Sequence, residues 1–531
     1  MIREEIFKLP PDDMRRLENF FSAHENVYVY GAGQYGKYAL EFLAMQRMPV
    51  RGVLVTSAKG NPEMLDGIRV YQADKIDLSG CGVFIAVSTK YRDEIRGALG
   101  GSGAELLEFS DEQFRCMGCY AWNARHIPAV AASWPRGQEH GRMRVAVFSH
   151  DTAMLGADLS LLDNLSVLKD KEDFSPIVIT RGVGPLSQAL LAMGIPSLAM
   201  EFDWWAQHPG VPLRDNTKAI DAIAAFLSEM GIDLCYTNTS VIDIGARVAE
   251  KLHVPHVWHV REFAMRDFGF VFQEGEQESA RYIQSSDAVL FVSKALESDY
   301  IARTHSQKHF HVIYNGVFLK SYHGKQKSDF DRTPLRIVMV GAMVEAKNQR
   351  ELIRACQYLS KEEQELFEIH FYGTGEESYR AAVEREISAA GLSNRVFFHG
   401  YTPEVGRALA SCEIGVMASR SEAFGRVTVE YMMSGLFVIA SDAGANPELL
   451  RNGEDGLLYP LGNPEALANC LRWCLFHRKE MAEKAMRNQG HATEKRFSPR
   501  QAAEAIYRVF KDVVRGAYEE KTIMVNASHK K

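Results

Sequence analysis

Short apolar runs recur along this chain. Each ends in glycine or a polar turn, and each is followed by a stretch with apolar residues every three or four positions. That alternation predicts buried strands and amphipathic helices arranged as βαβ units on parallel sheets. A first series has strands over 27–30, 50–56 and 82–88, with helices over 37–45 and 91–99. It is preceded by an amphipathic helix within 1–20, with Leu17, Phe20 and Phe21 on one face. A second series has strands over 144–149, 175–180, 195–200, 234–238, 256–260, 288–292 and 310–314. A third has strands over 335–340, 368–372, 396–399, 412–417 and 436–440. Between the first two series, Pro128, a run of alanines, Trp134-Pro135, Gly137 and Gly141 read as a linker. The expected division is a Rossmann-like unit at 1–121, a linker at 122–142, α/β domains at 143–331 and 332–497, a helix at 498–518 and a polar tail at 519–531.

Composition narrows the class. A chain of 531 residues with 46% hydrophobic and 24% charged residues can build several cores. The net charge of -7 provides no field for nucleic acid. No apolar run approaches the roughly 20 residues of a spanning helix, and no signal-peptide core is visible. A cytoplasmic protein is expected, with peripheral contact at the inner face of a membrane left open. The eight cysteines are scattered, several within apolar elements, as packed free thiols would be. Cys116 and Cys119 form the one C-x-x-C pair, and without further ligands nearby they do not make a metal site.

Two loops carry candidate chemistry. Gly31-Ala-Gly33-Gln-Tyr-Gly36 is a G-x-G-x-x-G turn between a strand and a helix, where a dinucleotide such as NAD(P) could sit. The following strand ends in Thr56-Ser57, however, with no acid where the ribose would need one. A tight packing turn is therefore favoured over a bound nucleotide. The second loop is Ser421-Glu422-Ala423-Phe424-Gly425-Arg426, between the strand at 412–417 and an apolar helix that carries Glu430. It places Glu422 at the carboxyl end of a strand and the N–H groups near Gly425 at a helix N-terminus, where open α/β sheets hold phosphates.

Further landmarks follow the same order as in a known family. They are Gly156-Ala157 after the first strand of the second series, Gly341 followed by Lys347-Asn348-Gln349, and Tyr372-Gly373-Thr374-Gly375. His399-Gly400, Glu422-Ala-Phe424-Gly425 with Glu430, and Asn446-Pro447-Glu448 complete the run. With these motifs, residues 143–515 resemble the family-4 retaining glycosyltransferases. The resemblance implies a GT-B fold, two Rossmann-like domains facing each other across a cleft, here behind an extra N-terminal Rossmann-like domain. It implies a nucleotide diphosphate sugar donor, UDP-linked by preference, and a carbohydrate or lipid-linked acceptor of the cell envelope. A nucleotide-sugar epimerase or hydrolase, or a non-catalytic sensing protein, are the alternatives on this architecture.

The resemblance also implies roles. Lys347 would bind the leaving phosphates, Glu430 the ribose hydroxyls and Glu422 the hydroxyls of the transferred sugar. Gly156, Ala157, Gly341, Gly373, Gly375, Phe424 and Gly425 would line the donor site. The family often carries an arginine directly after Gly341; here Ala342 stands there, and Arg426 is the expected substitute. His259, Arg261 and Glu262 lie where the family has a polar pair at the reaction centre. They would serve the acceptor side or form a hydrogen-bonded structural cluster. No metal-binding motif stands at a donor strand end, so transfer without a metal or other cofactor is expected. Trp204-Trp205 would stack on an acceptor, meet a membrane surface or pack internally.

Overall fold

The computed structural model describes residues 9–134, 142–212, 215–305, 307, 309–318, 325–402, 404–489 and 491–528. The three series of apolar runs form three separate sheets. The first has the strand order Met64–Leu65, Ile68–Gln72, Gly52–Val55, Val27–Tyr30, Gly82–Ile85, Glu105–Glu108, antiparallel only at the first pair. The second runs Phe310–Val312, Ala288–Phe291, His256–Val260, Leu234–Thr237, Met143–Ser149, Phe174–Arg181, Ser197–Met200, all parallel. The third runs Val396–Phe398, Phe367–Tyr372, Leu335–Val340, Ile414–Met417, Phe437–Ser441, Gly456–Tyr459, also all parallel. Central strands such as Ile414–Met417 and Phe437–Ser441 are buried along their whole length, as strands covered by helices on both faces must be. In the second and third sheets the strand order reverses at the first strand of the series. The carboxyl end of such a strand opens a crevice for ligands. Among the described residues no helix is long and apolar enough to cross a membrane.

Two expectations are corrected. Residues 122–133 are not an irregular linker but the second half of a helix, Asp111–Ser133, opened by a Ser110/Gln113 capping box. The alanines that suggested a break are the best helix formers, and tertiary contacts carry the helix through Pro128. Phe114 and Met117 pack in the core of the first unit, while Ile127, Val130 and Trp134 pack in that of the middle domain. Asn123 docks on the edge of the middle sheet. Its Nδ2 donates to Ala199 O (2.7 Å) and its Oδ1 accepts from Ala199 N (2.9 Å), which satisfies an otherwise open strand edge. The linker's Pro135, Gly137 and Gly141 lie outside the described residues. The polar tail is the second correction. The last helix spans Pro499–Ser528, because the residues after 518 are mostly good helix formers, and 529–531 lie outside the described residues. Its Ala502, Ala503, Ile506, Tyr507 and Phe510 fill the core of the middle domain. The N-terminal helix starts at Pro11, and 1–8 lie outside the described residues. Cys116 and Cys119 are free thiols on one helix; burial pushes Cys116 up to about 12 and Cys119 well above its usual range.

Candidate active site

The C-terminal sheet builds one wall. Its first strand ends at Gly341, and the chain turns through Glu345–Lys347 into the helix Gln349–Cys356. Gly373 and Gly375 brace this turn from beneath. A β-carbon at Gly373 would stand 2.0 Å from Gly341 O, and one at Gly375 would stand 2.3 Å from Met343 O. These glycines allow close backbone approach. The Lys347 side chain runs back past Gly341 and its Nζ donates to Glu422 Oε2 at 2.8 Å. Burial alone would lower the Lys347 ammonium, but the charge and hydrogen bond of Glu422, with the charge of Asp267, raise it above its usual value. Glu422 is pinned by its own backbone, since Ala445 N donates to Glu422 O (2.8 Å) and only a glycine fits at 444.

Gly425, at φ 91°, ends that loop in the left-handed region and opens the helix Arg426–Met433. Arg426 is engaged by two carboxylates. Its Nε donates to Glu430 Oε1 (3.1 Å) and its Nη1 to Asp163 Oδ2 (2.7 Å), on the helix Gly156–Leu168 of the middle domain. Burial raises the Glu430 carboxyl, Arg426 opposes this and Asp163 adds to it. Phe424 turns its ring into the seam between the domains, near Tyr314 and Phe497, as part of a core cluster shared with the middle domain. Glu448 ties the same seam. It accepts from Lys294 N (2.9 Å), Ala295 N (2.6 Å) and the Tyr314 hydroxyl (2.9 Å), capping a helix of the facing domain.

The middle domain supplies the other wall. Gly156 and Ala157 open the helix Gly156–Leu168, and Asn238 Nδ2 donates to Ala157 O at 3.2 Å. Asn238 Oδ1 in turn accepts from Arg261 Nε (2.8 Å), and Arg261 Nη1 reaches Asn315 Oδ1 (2.6 Å). Arg261 Nη2 donates to His259 Nδ1 (3.2 Å), beside the Tyr236 hydroxyl (2.7 Å). Burial first, then Arg261, holds His259 well below its usual range, so the ring is neutral. Glu262 Oε1 accepts from Thr239 Oγ1 (2.7 Å), Ser240 N (2.5 Å) and Ser240 Oγ (2.5 Å). All three residues are buried, and these bonds stay within the middle domain. His259 Nε2 is buried without a hydrogen-bond partner among the described residues. Trp205 is core, stacked on Trp258, while Trp204 is half-buried against the same core, its Nε1 donating to His150 O (2.9 Å) and Arg181 over its ring.

Asp158, one residue past Ala157, gave no signal in the sequence. It is buried, with Ser149 Oγ donating to Oδ1 (3.0 Å) and Leu155 N to Oδ2 (3.3 Å). Burial pushes its carboxyl up to about 7, against the Ser149 bond, with Asp151 adding to the rise. A raised folded value means that the stabilising contribution is complete below the unfolded pKa of about 4 and is lost as pH rises through 7. Asp158→Asn is therefore expected to flatten that decline and to gain on the order of 3 kcal/mol at pH 8 relative to pH 4. Urea unfolding of both forms at the two pH values checks this; parallel pH dependence would refute it.

In the first unit, Gly31 and Gly36 are explained by packing. A β-carbon at Gly36 would fall 1.9 Å from Gly31 O, and one at Gly31 would fall 2.6 Å from Ala86 O. Gly33 faces open space at the start of the helix Gln34–Met45. Asp163, Asp267 and Glu448 also escaped the sequence reading as site residues. Asp163 is an acid set among leucines on one helix, which is a signal in itself; Asp267 offers none.

Residues 323–492 match the family model of glycosyl transferases group 1. The lipopolysaccharide core biosynthesis mannosyltransferase LpcC of Rhizobium leguminosarum bv. viciae is 37% identical over 89 residues, 17% of this chain and 25% of that protein. The amylovoran biosynthesis glycosyltransferase AmsK of Erwinia amylovora is 26% identical over 223 residues, 40% of this chain and 53% of that protein. The chain thus spans about half the length of these relatives or less. The crystal structure of Anabaena HepE in complex with UDP and glucose superposes with a TM-score of 0.59 at 21% identity, covering 70% of this chain and all of that one. At that identity the likeness is one of fold.

Proposed function

Because the chain carries a group 1 glycosyl transferase domain at residues 323–492 and has the GT-B fold, we propose that it is a retaining glycosyltransferase moving a sugar from a UDP-sugar to a cell-envelope glycan or lipid-linked acceptor. The observation that carries this reading is the Lys347–Glu422 pair, joined at 2.8 Å where the strand order of the C-terminal sheet reverses. An ammonium there, with the N–H groups that follow Gly425, supplies positive potential where a diphosphate leaves. On donor binding, Lys347 turns from Glu422 to the phosphates. Glu422 is then free to accept from the hydroxyls of the transferred sugar, and Glu430 accepts from the ribose.

The reaction is a front-face displacement. The acceptor oxygen bonds to the anomeric carbon as the bond to the leaving phosphate breaks, and the acceptor proton passes to that phosphate. No carboxylate need form a covalent intermediate, and no metal is required. The names of LpcC and AmsK support an envelope glycan as the acceptor, and the UDP bound in the HepE structure supports testing UDP-sugars first.

A thermal-shift screen of UDP-, GDP-, ADP- and dTDP-sugars tests the reading. A donor at a hundred times its Kd adds about 2.7 kcal/mol of stability, which appears as a higher Tm. The expected result is a shift with a UDP-sugar and transfer that persists in chelator. No shift with any donor would sink the proposal. Full turnover without any acceptor would instead mark an epimerase or hydrolase.

A further inference from the structure

After Arg261-Glu262 the middle domain makes a sharp turn. Ala264 stands at φ 52° and ψ -79°, a conformation that a residue with a β-carbon avoids. Strain of this kind costs about 1–3 kcal/mol and persists only where surrounding structure enforces it. The turn brings the short helix Met265–Phe268 against the Glu345–Lys347 turn of the facing domain. Asp267 sits in that contact. Phe263 N donates to its Oδ2 at 2.9 Å and fixes the carboxylate, while Oδ1 is buried without a hydrogen-bond partner among the described residues.

The neighbouring cleft carboxylates are each engaged: Glu422 with Lys347, Glu430 and Asp163 with Arg426, Glu262 with Thr239 and Ser240. An acceptor oxygen left open in a buried place is costly unless something arrives to fill it. The surroundings say what can arrive. Burial raises the Asp267 carboxyl; the Ser421 hydroxyl, within hydrogen-bonding reach of the carboxylate, and Phe263 N oppose this, Glu422 adds to it and Lys347 opposes it. An anion would be repelled by the two carboxylates and a second cation by Lys347. A neutral hydroxyl is the group that fits.

We propose that Asp267 Oδ1 accepts a hydrogen bond from a substrate hydroxyl, and that through it the middle domain completes the pocket around the reacting sugar. This rests on the glycosyl-transfer reading. No bond is made or broken at Asp267. The hydroxyl belongs either to the transferred sugar or to the attacking acceptor, for which water stands in during slow donor hydrolysis.

The test uses the full chain, its Asp267→Asn variant, and UDP and UDP-glucose as probes, with binding by calorimetry and UDP release as turnover. Asparagine keeps an acceptor for Phe263 N; Asp267→Ser does the same should the first variant fold poorly. If the hydroxyl is the sugar's, affinity for UDP-glucose falls about tenfold while that for UDP is unchanged. If it is the acceptor's, both affinities hold and UDP release falls tenfold or more. Affinities and turnover all equal to wild type overturn the proposal. Equal changes for UDP and UDP-glucose overturn it too, because Asp267 would then act on the diphosphate. A wild-type chain that binds neither probe removes the UDP-sugar reading and this proposal together.

Discussion

Lys347→Ala is expected to lower turnover about a thousandfold while leaving the chain folded. Among the described residues the ammonium is the one cation placed by side-chain contact beside Glu422, at the reversal point of the sheet. Removing a preorganised charge from a developing leaving group typically costs 10²–10³ in turnover. The loss here should reach the upper end, because the substitution also leaves Glu422 and Asp267 facing each other without a counter-charge. The Lys347 side chain is 30% exposed, so water can enter the space it leaves and hydrate Glu422, and the cost in stability should stay near about 1–2 kcal/mol. Lys347→Arg is not expected to restore activity. A planar guanidinium cannot replace a compact ammonium threaded past Gly341. Glu422→Gln makes the contrast: it frees Lys347, so affinity for UDP should hold or rise while turnover falls. Steady-state turnover with calorimetric UDP binding checks the set. Turnover within threefold of wild type in Lys347→Ala would remove the lysine from the leaving-group site. Burial works against the charged form, but Glu422 and Asp267 raise the ammonium above its usual value, so no loss of its charge is expected across the neutral range.

Much of the architecture was legible because strand-length apolar runs and the residues that end them are local signals. The reversal of strand order at Leu335–Val340 follows from such runs once they are sorted into βαβ units. The pairing of Lys347 with Glu422 joins residues far apart in the chain, and only the family resemblance placed them together. What the chain did not reveal depends on partners distant in sequence. Pro128 and its alanines read as a break, because nothing nearby shows that Asn123 and Trp134 anchor that helix to Ala199 O and Met230 O. His259, Arg261 and Glu262 have the chemistry of a reaction centre. Whether such groups face a cleft or one another is decided by Asn238, Asn315 and Ser240, which come from other strand ends. Glu448 had a motif but no role until the helix that it caps was seen to belong to the other domain.

Arg426→Ala is expected to destabilise the chain by about 3–5 kcal/mol, the cost of removing one member of a buried ion pair and leaving the others charged. The sequence suggested a phosphate ligand, for which the substitution would act on turnover. The geometry adds a second burden. The side chains of Arg426, Asp163 and Glu430 are 13%, 14% and 11% exposed, so water cannot replace the guanidinium for either acid. Because the three residues come from both sides of the cleft, the loss also loosens the facing domains. The effect has a pH signature. Burial already raises Glu430, and Arg426 is the main force against that rise. Without the arginine its folded pKa climbs further, so the variant binds a proton more readily when folded than when unfolded. Its deficit is then smallest near pH 5 and largest near pH 8. Asp163→Asn in the same chain should recover part of the loss, since it removes one of the two stranded charges, and the coupling should exceed about 1 kcal/mol. Urea melts of the two single variants and the double variant at both pH values decide the matter. A deficit below 1 kcal/mol at pH 8 would show that solvent reaches the pair, whereas a full deficit with normal turnover would make Arg426 a strut between domains and leave the phosphates to Lys347 and the backbone after Gly425.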